Sequence, residues 1–161
     1  MPSFDVVSRI DMQEVDNALN QARKEIGTRY DFRGTKCEIE FKEEKIILHA
    51  DDKLKLSAMT EILNQKMVKR GVGIRSLDYK EAEAASGGTL RQTVELKQGI
   101  STDDAKKISK LIKDKNLKKV GTQIQGDQVR VNGPKRDDLQ AVIAILKAEI
   151  NLELQFVNFK D

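Results

Sequence analysis

The segment KVGTQIQGDQVRVNG, Lys119 to Gly133, gathers amide and cationic side chains on what reads as a tight β-hairpin. Gly126-Asp127 suits a two-residue turn, because a type II′ turn wants glycine at its first central position. Closing the turn there sets Ile124 opposite Val129, Thr122 opposite Val131 and Val120 opposite Gly133 on one face. The other face then pairs Gln125 with Gln128, Gln123 with Arg130 and Gly121 with Asn132, since side chains alternate along strands. Glutamine and arginine can make paired hydrogen bonds to base edges, and lysine and arginine meet phosphate. Lys119 at the foot of the hairpin and Lys97 ahead of a helix start complete the set. Lys97, Lys119, Gln123, Gln125, Gln128 and Arg130 are therefore candidate contacts for a nucleotide or nucleic acid. The plainer reading makes Gln123 and Arg130 an ordinary cross-strand pair on a wet sheet.

A second candidate is RYDFRG, residues 29–34, where aromatics interleave with arginines. Tyr30 and Phe32 could stack a purine while Arg29 and Arg33 meet its phosphates, or the same residues could anchor the joint between two halves. Lys106, Lys110 and Lys113 share one face of a helix, with Lys107 beside them, although solvated helix lysines are common. Asp103, Asp104, Asp137 and Asp138 crowd two helix starts, where they would satisfy the free N–H groups and repel an anion. Catalysis finds little footing. The single histidine, His49, has no evident nucleophile partner, Cys37 falls on an inward face, and Asp51-Asp52 reads as a helix cap. There is no G-x-x-x-x-G-K-[ST] loop and no metal-ligand spacing, so neither an enzyme, a cofactor nor a metal is expected.

Composition agrees with a binding protein. Of 161 residues, 39% are apolar and 34% charged, enough for a core under a heavily solvated surface. The net charge of +3 is uneven: Lys97–Arg136 alone holds 11 basic and 4 acidic residues, a local +7 that attracts polyanions. AVIAIL, the longest apolar run, is too short for a bilayer, and the first residues lack the pattern of a secretory signal. One cysteine fits a reducing cytosol. A cytoplasmic monomer with no membrane role is expected.

The elements that must carry these residues occur in the same order twice. SFDVVSRI is extended, and a helix follows with Met12, Val15, Ala18, Leu19, Ala22 and Ile26 at helical spacing, opened by an Asp11/Glu14 capping box. KCEIEFKEEKIILHA predicts a hairpin turning at Glu43-Glu44, and a second helix turns Leu54, Ala58, Met59, Ile62, Leu63 and Met67 inward. GIRSLDYK supplies a fourth extended piece. From TLRQTVELKQ onward the order repeats, with Ser101 as a cap, Pro134 at the first position of the last helix, and QFVNF as the final strand. EAEAASGGT between the copies reads as a linker. The expected class is α+β. It comprises two ferredoxin-like β-α-β-β-α-β repeats over residues 1–84 and 85–161, each with a four-stranded antiparallel sheet covered by helices on one side.

The blocks MPSFDVVSRIDMQEVDNALNQA, RYDFRG, LKQGISTDDAKKISKLIKD, QIQGDQVRV, RDDLQAVIAIL and QFVNF, in order along the chain, resemble the YajQ family of bacterial proteins. That resemblance implies a non-enzymatic nucleotide-binding protein, with tRNA, purine nucleotides such as GTP or ATP, or cyclic di-GMP as ligands. It further implies halves like RNA-recognition domains, with the first strands, near residues 4–10 and 90–97, exchanged between them. Gly121 and Pro134 look atypical for the family. RNA-recognition domains stack bases on aromatics of their central strands. TVELKQ, QVRVN and KIILHA hold none, which argues against that mode. The alternative implied is a cyclic di-GMP effector that signals through a protein partner.

Overall fold

The computed structural model describes residues 1–117 and 119–161. In chain order the elements are β1 (Ser3–Val7), α1 (Met12–Thr28), β2 (Glu38–Lys42), β3 (Lys45–Ala50), α2 (Lys53–Lys69), β4 (Leu77–Tyr79), β5 (Glu83–Ala84), β6 (Leu90–Leu96), α3 (Thr102–Asp114), β7 (Gly121–Gln125), β8 (Gln128–Asn132), α4 (Arg136–Glu149) and β9 (Gln155–Lys160). They form two compact units: a discontinuous one, Met1–Arg9 with Gln98–Asp161, and a central one, Ile10–Lys97. Each is α+β, with one antiparallel sheet.

In the discontinuous unit the strand order is β7-β8-β1-β9. β1 pairs with β8 through Phe4 opposite Val131 and Asp5 opposite Arg130, so the first strand of the chain lies in the sheet of the last. Phe4 and Val6 are fully buried with Ile108, Ile112, Val129, Val131, Val142 and Leu146. Each such side chain contributes about 1.5–3 kcal/mol by leaving water. Phe4 also stacks on Phe159, with ring centroids 5.5 Å apart. The β7–β8 hairpin has the expected register, Gln123 opposite Arg130 and Ile124 opposite Val129, and Gly126 takes the positive φ of 62° that its turn requires.

In the central unit the order is β2-β3-β6-β4, and β5 adds to β6 as a fifth strand. The sheet is therefore larger than the expected four strands, because the segment read as a linker pairs Glu83 with Arg91 and Ala84 with Leu90. The β2–β3 register matches the spacing, with Phe41 opposite Ile46 and Ile39 opposite Leu48. Glu43 and Glu44 close this hairpin with φ of 54° and 61°, the left-handed pair that a type I′ turn demands.

Three local expectations need correction. Leu54 is 77% exposed, and Leu56 is buried in its place, since the apolar stripe of α2 begins two residues later. Pro134 precedes the cap residue Lys135 instead of starting α4. Asp11 does cap α1, accepting from the Gln13 and Glu14 amides, but Glu14 does not reach back. Its carboxylate accepts two hydrogen bonds from Arg70 at 2.7 and 3.1 Å, a stronger charged partner than a backbone amide. Asp52 caps α2 by accepting from the Lys55 amide, and its neighbour Asp51 accepts from the Lys36 amide.

Candidate functional site

β8 and β1 lie side by side, which puts Arg130 directly across from Asp5 on the face away from the helices. Arg130 Nε donates to Asp5 Oδ1 at 2.9 Å and its Nη2 to Asp5 Oδ2 at 3.4 Å. Asn158 Nδ2 adds a third hydrogen bond to Oδ2 at 2.9 Å. Asn158 can reach because β9 shifts register there and adopts a φ of 56°. Asp5 itself is only 1% exposed. The Arg130 hydrogen bond holds its carboxyl below the ordinary range, against the upward push of burial, and Asn158 and the Arg130 and Lys160 charges assist. The guanidinium is correspondingly harder to deprotonate. Arg130 thus carries a neutralised charge, fixed along one edge, with the other edge reachable by solvent at a side-chain exposure of 35%.

The rest of this face is amide. Gln123 is exposed on β7, while Gln128 Nε2 donates to Gln125 Oε1 at 3.4 Å. Lys119 is exposed and has no acidic partner among the described residues. Lys97 falls in the central unit, half-buried, with its amide donating to the Ser76 carbonyl. It belongs to a different unit from Gln123, Gln125, Gln128 and Arg130. The lysines of α3 (Lys106, Lys107, Lys110 and Lys113) are all exposed, and none forms an ion pair among the described residues.

RYDFRG folds as a short 3-10 turn over Tyr30–Phe32, and its two aromatics part company. Phe32 is buried in the central core, with the Arg29 guanidinium 5.4 Å and Lys55 Nζ 5.5 Å from its ring centroid. Tyr30 is 83% exposed, and the Arg33 guanidinium lies 5.4 Å from its centroid. The arginines differ as well. Arg29 donates to both Asp31 oxygens, at 3.0 and 2.8 Å, and to Glu25 at 3.4 Å. Its hydrogen bond holds the Asp31 carboxyl below the usual range. Arg33 has no acidic partner among the described residues, so its charge remains available. Lys55 joins from α2, donating to the Asp31 carbonyl at 2.5 Å.

A family model described as nucleotide-binding protein YajQ-like matches residues 2–160 of the chain. The chain belongs to that family. A nucleotide-binding protein of Heliobacterium modesticaldum is 57% identical over 159 residues, covering 98% of this chain and 96% of that protein. One from Geobacter sp. (strain M21) is 53% identical over 161 residues, 99% of both chains. Another, from Desulfitobacterium hafniense, is 52% identical over 159 residues, 98% of this chain and 97% of its own. Family membership therefore rests on the whole chain, both units included.

Sequence spacing missed two contributors. Asp5 is invisible until β1 is assigned to the sheet of β8, although the implied strand exchange would have led to it. Lys55 lies 22 positions beyond Arg33 and meets the turn only through the packing of α2. The register expected for the Glu43-Glu44 hairpin already set Glu38, Glu40 and His49 on one face, and in the structure one ligand atom from each falls within 4.8 Å of the others. Among the described residues, no helix is long and apolar enough to cross a membrane.

Proposed function

We propose that this chain binds a nucleotide without transforming it, with the base stacked on Tyr30 and a phosphate met by Arg33 and Lys55. The observation that carries the reading is the 83% exposed Tyr30 ring beside a guanidinium lacking any acidic partner among the described residues. A tyrosine held open to water offers a π-face to any base, and stacking of this kind is worth about 1–3 kcal/mol per base. The adjacent cations supply the phosphate contact that a base alone would lack. The relatives' designation as nucleotide-binding proteins supports the same reading.

The amide face of β7 and β8 is the second contact surface in this proposal. Because Asp5 neutralises Arg130, that arginine acts there as a positioned hydrogen-bond donor toward a base edge more than as a counter-charge to phosphate. The strand orders support reading the repeats at 1–84 and 85–161 as ferredoxin-like domains akin to RNA-recognition domains, with β1 and β6 exchanged. The exposed lysines of α3 favour a second version, in which a polynucleotide such as tRNA lies along the discontinuous unit.

Calorimetric titration of the full chain with GTP, cyclic di-GMP and tRNA, each at two salt concentrations, tests the proposal. Saturable binding of GTP or cyclic di-GMP that Tyr30→Ala and Arg33→Ala both weaken supports the Tyr30 site. Binding of tRNA alone, with log affinity falling linearly with log salt by about 0.7 per single-strand phosphate contacted, supports the polynucleotide version. Undiminished binding in both variants overturns the assignment to Tyr30. If none of the three binds, the proposal falls.

A further inference from the structure

Glu38, Glu40 and His49 stand together on the helix-free face of the central sheet. The register puts Glu38 directly opposite His49, and Glu40 follows two residues later on the same face of β2. His49 Nε2 lies 2.5 Å from Glu40 Oε1. That contact accounts for Glu40 and His49, but it leaves Glu38 unexplained. The row containing Glu38 and His49 continues across β6 to Arg91 and ends at Glu83 on β5. Arg91, the cation of that row, turns the other way and donates to Glu83 at 3.2 Å. Glu38 is left with no cationic partner among the described residues, beside a second carboxylate and facing an imidazole.

We propose that Glu38, Glu40 and His49 form a surface site for a first-row divalent transition cation, with Zn2+ as the reference ion. A bound cation would neutralise the Glu38–Glu40 repulsion and take the place of the hydrogen bond between His49 and Glu40. The imidazole nitrogen decides the class, because Mg2+ and Ca2+ favour all-oxygen shells whereas Zn2+, Co2+ and Ni2+ accept nitrogen readily. Zinc–ligand lengths of roughly 2.0–2.2 Å place neighbouring ligand atoms about 3–3.5 Å apart; His49 and Glu40 must therefore part from their 2.5 Å contact, and Glu38 must draw in. Its exposed side chain is free to do so. The scaffold is firm: Ile39, Ile46 and Leu48 are buried on the opposite face, and a one-residue slip would carry the ligands into the core. Water fills the remaining positions of so open a site.

Titration of ZnCl2 into the full chain, in a buffer that does not chelate, should give one saturable site. His49→Ala and Glu38→Gln should each weaken it at least ~10-fold, the loss expected even for a group that merely supports a ligand. Glu38→Gln removes an exposed charge without touching the core, so it reads binding even if His49→Ala folds poorly. Cys37→Ser should leave the affinity unchanged, and MgCl2 should bind far more weakly. The proposal is overturned by no zinc binding, by equal binding in Glu38→Gln, by loss of binding in Cys37→Ser, or by Mg2+ matching Zn2+.

Discussion

Arg130 and Arg33 look alike in the sequence, each a cation set among groups suited to bases, but the two regions hold them very differently. In the sheet of the discontinuous unit, Arg130 is gripped by a buried carboxylate that arrives from the far end of the chain. In the central unit, Arg33 stacks on an exposed ring and meets no acid among the described residues. The first arrangement stiffens a sheet and neutralises the charge it holds. The second leaves charge and aromatic surface where a nucleotide can reach them. Residue type alone does not make a phosphate site; the nearest opposite charge decides whether a cation is available.

The comparison breaks most readily at Arg130. Arg130→Ala strands the Asp5 carboxylate in a buried position with Asn158 as its remaining hydrogen-bond partner. This should produce the largest fall in urea midpoint of any variant named here, since an unpaired buried charge costs more than the lost contact. Nucleotide affinity measured on the folded fraction should change less than for Arg33→Ala. The reverse ranking would make Arg130 the phosphate ligand after all.

Asp5→Asn should destabilise by less, about 1.5–3 kcal/mol near neutral pH, the worth of a hydrogen bond to a charged group. Because the folded carboxyl titrates below its ordinary value, chiefly through Arg130, its contribution is fully present above the unfolded value of about 3.9. It disappears as pH falls through the lower folded value. The stability gap between wild type and Asp5→Asn should therefore hold down to about pH 4 and narrow progressively below it, as urea unfolding from neutral pH to below pH 3 would record. A gap constant with pH would show that the carboxylate charge plays no part.

Tyr30→Ala should leave stability nearly unchanged while weakening nucleotide binding by about 1–3 kcal/mol, roughly 5- to 150-fold. Fluorescence or calorimetric titration would measure it, and Tyr30→Phe should retain most of the affinity if stacking is the contact. The smallest effect is expected at α3. Lys113→Ala should not alter GTP affinity, and for a polynucleotide it should reduce the salt slope by about 0.7 at most. A large loss of GTP binding there would move the site to the other unit.

Hairpins and helices were legible because their signals are local. Gly126-Asp127 and Glu43-Glu44 sit between alternating strands, and the apolar residues of α1 recur at a helical period, so turn and register follow from neighbours in the chain. The Leu54 reversal marks the limit of that reasoning, as Leu54 and Leu56, two positions apart, can each begin a plausible stripe. The family was legible for a different reason: its blocks run the length of the chain.

By itself, the sequence determined the elements, their order, the amide face of the last hairpin and the pairing of aromatics with arginines in residues 29–34. Only the tertiary structure decided which of those groups carry usable charge. Asp5 reaches Arg130 across 125 positions, and Lys55 of α2 meets the turn that carries Arg33. Electrostatic availability depends on distance in space, and no local pattern of residues fixes that distance.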